Sequence, residues 1–323
     1  MSFRLAALAA IAPAFLLGAC ASQGPLNRSI PLAARDKMPS TEVVTLIPQN
    51  EVVVTIPVAT GISAQSGVQF GLLGALVGSL VESGITASNA AAAETSVKPL
   101  RSALVDFDFD RNINSDIQGQ LAQATWINPQ DYRVVKDGTP QTLEGIVTGS
   151  KASGVLLNSV SYALNFNADE LTVVMTSRLL PHSTDLKALL PGKADPKVSV
   201  IAPDNDLYHN VFTFTTAVPN ATNNRDANIV LWSANSGAPM RDALKLGSTK
   251  LAELLVADLV ADTPFDPKTT MLKPYQGELY AGYIVAKDDV GTSIVQHSGY
   301  QVYVTDVSQV ALVNASQPKA KGR

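Results

Sequence analysis

Few side chains in this 323-residue chain have the chemistry for catalysis or ligation. There is one cysteine, Cys20, and there are three histidines, His182, His209 and His297. No two histidines lie at helical spacing and no H-E-x-x-H occurs, so a zinc site would need unrelated loops to converge. A Ser-His-Asp triad needs only one histidine, but the G-x-S-x-G elbow is missing. Gly61-Ile62-Ser63-Ala64-Gln65 and Gly78-Ser79-Leu80 come nearest, and both lack the second glycine. There is no phosphate-binding lysine loop and no G-x-G-x-x-G. The alternation Asp106-Phe107-Asp108-Phe109-Asp110 suggests a calcium loop, but an EF-hand starting at Asp106 requires glycine sixth and glutamate twelfth. Arg111 and Ile117 stand there instead. Solvated aspartates are the better reading, with Asp110 or Asn112 capping a helix that carries Ile113, Ile117 and Leu121 at i, i+4, i+8. This inventory points away from an enzyme, a metal or a cofactor. A hydrolase of an envelope polymer would need carboxylates, or a histidine and a serine, gathered by the fold.

The thiol is the exception, because its surroundings give it a task. Arg4 supplies a positive start, Leu5 to Leu17 is an apolar run broken only by Pro13, and Gly18 and Ala19 lead to Cys20. That is the layout of a secretory signal, and about 13 apolar residues fall short of the roughly 20 that a spanning helix needs. Leu17-Gly18-Ala19-Cys20 resembles the lipobox of bacterial lipoproteins. The resemblance implies removal of residues 1–19, diacylation of Cys20 and further acylation of the new amine, palmitate included. An ordinary cleaved signal with a stray cysteine is the alternative, but a lone exposed thiol in an oxidising compartment is a liability. Ala21 follows Cys20, where an aspartate in many Gram-negative lipoproteins favours inner-membrane retention. The family rule thus implies a chain held by acyl chains at the outer membrane, with its bulk in the periplasm.

The formal charge is −4, and one unit more negative once Arg4 is removed. A mildly acidic chain lacks the basic footprint of a nucleic-acid binder. With Cys20 the only cysteine, no intramolecular disulfide can form, so the core must hold by packing; hydrophobic residues at 46% permit that. Residues 20–40 carry Pro25, Pro31 and Pro39 among small and polar groups and read as an acylated cysteine on a flexible tether. At about 3.3 Å per residue it would lift the body on the order of 60 Å.

The elements that must position anything further follow in order. Val43–Ile47 and Val52–Ile56 read as short strands joined by a turn at Pro48-Gln49-Asn50. Gly67, Gly71, Gly74 and Gly78 then fall within about 60° of one another on a helix turning roughly 100° per residue. The rest of that helix, Val68–Val81, is apolar. Four glycines in a helix call for close backbone approach, as in small-xxx-small packing. The stretch resembles glycine-zipper segments of bacterial envelope proteins, and burial in the body, self-association and insertion into one leaflet stay open. Ser88–Leu104 continues as helix, with a kink or break at Pro99. Tyr132–Val135 is a strand, Pro140–Thr148 a helix, and Gly154–Asn165 with Leu171–Leu180 a hairpin. This helix, strand, helix and hairpin over residues 97–180 resembles the small α/β module of TolB N-terminal and CsgG-like envelope lipoproteins. Residues 182–206 read as loop, Asn210–Val218 as strand, Asn220–Asn228 as a polar turn, and Ile229–Trp232 as strand or helix start. Pro239–Asp262 is amphipathic, with Leu244, Leu251, Leu254, Leu255 and Leu259 on one face. Gly277–Ala286 and Thr292–Thr305 form a hairpin, Val307–Val313 a short strand and 316–323 a frayed tail.

The expected fold is α+β: a mixed α/β domain over 41–235, and a long helix with a hairpin over 236–315 that can share that domain. The expected function is a non-enzymatic binding or assembly component of the cell envelope. Its partners would be the membrane, envelope proteins or its own copies. The alternative is a carrier of a lipid or small apolar ligand, with the glycine helix lining the groove.

Overall fold

The computed structural model describes residues 27–55, 84–191, 198–202, 205–263, 272–276 and 280–305. Cys20, the glycine stripe Gly67, Gly71, Gly74 and Gly78, and the strand and tail expected beyond residue 306 lie outside these residues.

The β-branched runs build the sheet. Its strands are β1 (Thr41–Leu46), β2 (Val53–Val54), β3 (Pro129–Val135), β4 (Gly154–Leu164), β5 (Glu170–Pro181), β6 (Tyr208–Ala217), β7 (Lys273–Gln276), β8 (Ala281–Lys287), β9 (Gly291–Gln296) and β10 (Gln301–Thr305). They form one mixed sheet in the order β3-β1-β4-β5-β6-β10-β9-β8-β7, with β2 also beside β4. β1 is parallel to both neighbours, β4-β5-β6 is antiparallel, and β10 returns parallel to β6. The helices are α1 (Leu32–Arg35), α2 (Gly84–Ala103), α3 (Phe109–Leu121), α4 (Pro140–Gly149), α5 (Thr184–Lys187) and α6 (Arg225–Val260). The α+β class expected from sequence is the observed one.

All six residues of β1 are buried, as in a strand covered on both faces. Val43 belongs to the main core with Ile113, Ile117 and Leu121 of α3 and Leu244, Leu251 and Leu255 of α6. Its neighbour Val44 belongs to a smaller core with Val155, Leu157, Leu180 and Val147 of α4. Alternation along the strand therefore sends α3 and α6 to one face and α4 to the other.

The structure corrects several expectations. The tether ends early: Ile30, Ala34 and Met38 are buried, Arg28 pairs with His209, and α1 follows. These apolar groups recur every four residues, with only Ala34 inside α1 and Ile30 and Met38 flanking it, a spacing that the surrounding prolines disguise. The turn after β1 does not reverse the chain, because β1 and β2 both run parallel to β4, opposite 154–159 and 163–164. Gln49 fills the gap between them. Its amide donates to the Tyr162 carbonyl at 2.8 Å and accepts from the Tyr162 N–H at 2.9 Å, replacing the missing strand residue. α2 runs one turn beyond Pro99. Asp108, rather than Asp110 or Asn112, caps α3, because Phe109 already packs in the core. Ile229–Trp232 is helix, begun at Arg225 by an Asn224 cap inside the supposed polar turn. Residues 182–206 contain α5, and 292–305 is two strands, β9 and β10, rather than one.

The 236–315 part shares the sheet of the first part, through β10 on β6. Between them α6 breaks at Ala234–Gly237, where Asn235, Ser236 and Gly237 have positive φ. A Cβ added at Gly237 would stand 3.2 Å from the Ala103 carbonyl oxygen, and the positive φ there disfavours a side chain in any case. Beyond the break, Gly247 lets α6 settle on the sheet, since a Cβ there would stand 2.8 Å from the Phe214 ring and 3.2 Å from Val173. Phe214 has little room to retreat because Tyr303 stacks on it at 6.2 Å. Gly247→Val is therefore expected to destabilise the protein by about 2 kcal/mol through overpacking, read as a lower urea midpoint at unchanged slope.

Candidate functional site

In open sheets with parallel strands, ligands bind beyond the carboxyl ends of the strands where the chain switches direction across the sheet. Here the chain runs from β1 through β2 beside β4, crosses to β3 on the other side of β1, and then returns to β4. α2 and α3 lie in the first connection, and α4 in the second. A cavity of about 290 Å³ lies at that end. The chain just after β1, the residue after β3, the end of β4, the end of α2 and the start of α3 all contribute to it.

Its floor is apolar and aromatic. Phe109 meets Tyr162 with centroids 4.6 Å apart, and Phe107, Leu104 and Leu244 continue the surface. Its rim is charged. Lys136 pairs with Asp110 at 2.5 Å and donates to the Gln49 carbonyl at 3.0 Å. Arg101 is held by Glu51 at 3.1 Å, by both oxygens of Glu94 and by the Val52 carbonyl at 2.9 Å. Asp108 gives one oxygen to the Arg111 N–H at 2.9 Å, closing the first turn of α3. Burial, then the carboxylates of Asp110 and Glu51, push the Tyr162 phenol up to about 12, so it stays neutral. The D-F-D-F-D run thus has a structural meaning: Phe107 and Phe109 point inward as floor, while Asp108 and Asp110 remain at the rim. Period-two alternation was the signal for it; read only as a metal loop, the run yields solvated acids.

The three histidines occupy separate places. His182 Nδ1 lies 3.2 Å from the Ala152 carbonyl, and His297 meets Tyr283 edge-on at 5.2 Å. His209 sits at the opposite end of the sheet from the cavity. It neighbours Asp206, with its Nδ1 at 3.9 Å, and its Nε2 is buried without a partner. Asp206, fully buried, accepts from Arg178 Nε at 2.8 Å. Among the described residues, no group of three His, Cys, Asp or Glu side chains is placed to hold a metal. No helix there is long and apolar enough to cross a membrane.

Burial, reinforced by the positive charges of Arg178 and Arg28, pulls the His209 imidazole down to about 4. An unfolded histidine titrates near 6.5, so protonation favours the unfolded chain. The associated stability is complete above pH 6.5 and falls as pH drops through 4, by about 3 kcal/mol across that window. His209→Gln is expected to flatten this slope in urea unfolding followed between pH 7 and pH 4.

The site remained invisible to sequence in its other half. Arg101 of α2, Tyr162 of β4, Glu51 before β2 and Lys136 after β3 are spread over more than a hundred residues, with no motif linking them. No protein-family model and no curated protein matches this chain.

Proposed function

We propose that this chain is a lipid-anchored lipoprotein of the outer membrane whose periplasmic body serves as a non-enzymatic binding or assembly component of the envelope. The observation that carries this is Leu17-Gly18-Ala19-Cys20, which puts the only thiol where acylation would use it. The packed start of the body supports it. Asn27 donates to the Gly299 carbonyl at 2.8 Å, so only residues 21–26 separate it from the acylated sulfur. The seven steps from Cys20 to Asn27 span at most about 25 Å, so the body would ride close to the bilayer rather than on a long arm. Its anchored end would be the β9–β10 turn and the start of β6, and the cavity would face away from the membrane. Held there, a partner or second copy would meet it at raised effective concentration. A second reading, a carrier of a small ligand, is favoured by the aromatic floor of the cavity. Mass analysis of the natural N-terminal peptide tests the anchor: acyl chains on Cys20 with residues 1–19 gone are expected, and a bare thiol would overturn it.

A further inference from the structure

We infer that the cavity between α2, α3 and the carboxyl ends of β1 and β4 is a binding site for a small organic cation with an aromatic or compact apolar body. This rests on reading the body as a binding module and is independent of the anchor.

The argument starts from shape. Partly buried Phe107 presents the accessible ring of the floor, with Phe109 and Tyr162 packed as the wall behind it, and about 290 Å³ accommodates a ligand at the small end of those that proteins enclose. Charge then selects the head. The lining contributes Glu51, Asp108 and Asp110 against Arg101 and Lys136, an excess of one carboxylate. Both cations are already committed. Arg101 is clamped between Glu51 and Glu94, and Lys136 between Asp110 and the Gln49 carbonyl. The start of α3 would ordinarily attract an anion, but Asp108 occupies it by accepting from the Arg111 N–H. An anionic ligand would thus meet only spoken-for donors and three carboxylates. A cation meets the Asp110 and Asp108 carboxylates beside Phe107, a ring over which the Arg241 guanidinium already sits 5.9 Å from the centroid. Lys136 is then the ligand's competitor for Asp110, and its side chain is 42% exposed, free to swing aside.

The competition makes the test decisive, because removing Lys136 acts in opposite directions on the two charge classes. Full-length protein in detergent is titrated with phenethylammonium, with 3-phenylpropionate and with neutral 2-phenylethanol, followed by calorimetry. Phenethylammonium is expected to bind at least roughly tenfold more tightly than 3-phenylpropionate, as one charge contact near a protein surface allows. Lys136→Gln is expected to tighten the cation about fivefold and Asp110→Asn to weaken it about tenfold, with thermal midpoints measured alongside to show that both variants fold. Should Asp110→Asn fail to fold, Lys136→Gln decides alone. Equal or tighter binding of the anion, a weaker cation in Lys136→Gln, or no saturable cation binding up to about 10 mM would each overturn the assignment. None of these results touches the anchor, which depends on the mass of the Cys20 peptide.

Discussion

A chain whose residues 1–20 are exchanged for an ordinary cleaved secretory signal is expected in the soluble periplasmic fraction, while the natural chain stays in the membrane pellet until detergent is added. The effect is close to all-or-none. Each buried methylene contributes about 0.8 kcal/mol, and two acyl chains together make an anchor that washing does not reverse. Among the described residues, no helix is both long and apolar enough to span a bilayer. Salt and carbonate washes before fractionation separate the anchor from loose electrostatic adhesion, which would give way to salt. If the exchanged chain still sediments with washed membranes, the acyl anchor is not what holds the protein. The apolar stretch Val68–Val81 would be the next segment to delete.

The second large effect is expected at Asp258, which joins α6 to the sheet. Its carboxylate accepts from the Tyr208 hydroxyl at 2.7 Å, from Asn210 Nδ2 at 2.9 Å and from Gln301 Nε2 at 2.7 Å. One side chain thereby ties the long helix to both β6 and β10. Tyr208 and Asn210 are fully buried. Asp258→Ala leaves their donors without an acceptor, and an orphaned buried donor costs about 1–3 kcal/mol. Set against this is relief of the carboxylate's own burial, so a net loss of about 3 kcal/mol is expected at pH 7. At roughly 2–4 °C per kcal/mol this lowers the melting temperature by about 10 °C. Asp258→Asn keeps one acceptor and is expected to lose less. A melting temperature for Asp258→Ala within a degree or so of the parent would show that the three bonds hold nothing.

Asp258 also sets a pH trend opposite to that of His209. Burial raises its pKa, although the bonds from Asn210, Tyr208 and Gln301 pull the other way. A raised carboxyl pKa gives stability that is complete below the unfolded value near 3.9 and is lost as pH rises through the folded value. Mild acid therefore strengthens the helix–sheet tie while it weakens the His209 corner. The two variants measured together separate these slopes, which in the parent protein partly cancel.

Asp258 belongs to a wider pattern of polar groups under the helices. Thr45, Asn158, Ser177 and Asn210 stand opposite one another across β1, β4, β5 and β6. All four are buried on the α3 and α6 face. Ser177 donates to Asn158 at 2.7 Å, and Thr45 donates to Asn114 of α3 at 3.3 Å. Such a row is costly in an apolar layer unless its members find partners. It also pins the register, because a one-residue slip would turn every one of them to the other face.

What the amino-acid order determines alone is mostly local. Alternation and β-branching locate β4, β5 and β6, because side-chain direction in a strand repeats every two residues wherever the strand lies. The stripe Leu244, Leu251, Leu255 and Leu259 foretells the long half of α6, and Ile113, Ile117 and Leu121 foretell α3, because a 3.6-residue turn stacks them without reference to neighbours. The lipobox-like tetrapeptide is likewise contiguous and needs no fold to be read. Tertiary structure alone decided the rest. It showed that Ile30, Ala34 and Met38 fasten the supposed tether, that β1 and β2 run along one edge of β4, and that the C-terminal strands extend the same sheet. It also brought Glu51, Arg101, Asp110, Lys136 and Tyr162 around one cavity. The physical reason is shared by all of these. A period records which face a side chain occupies, but which faces meet depends on strand order and helix placement, and those are set by the free energy of the whole core rather than by any one segment.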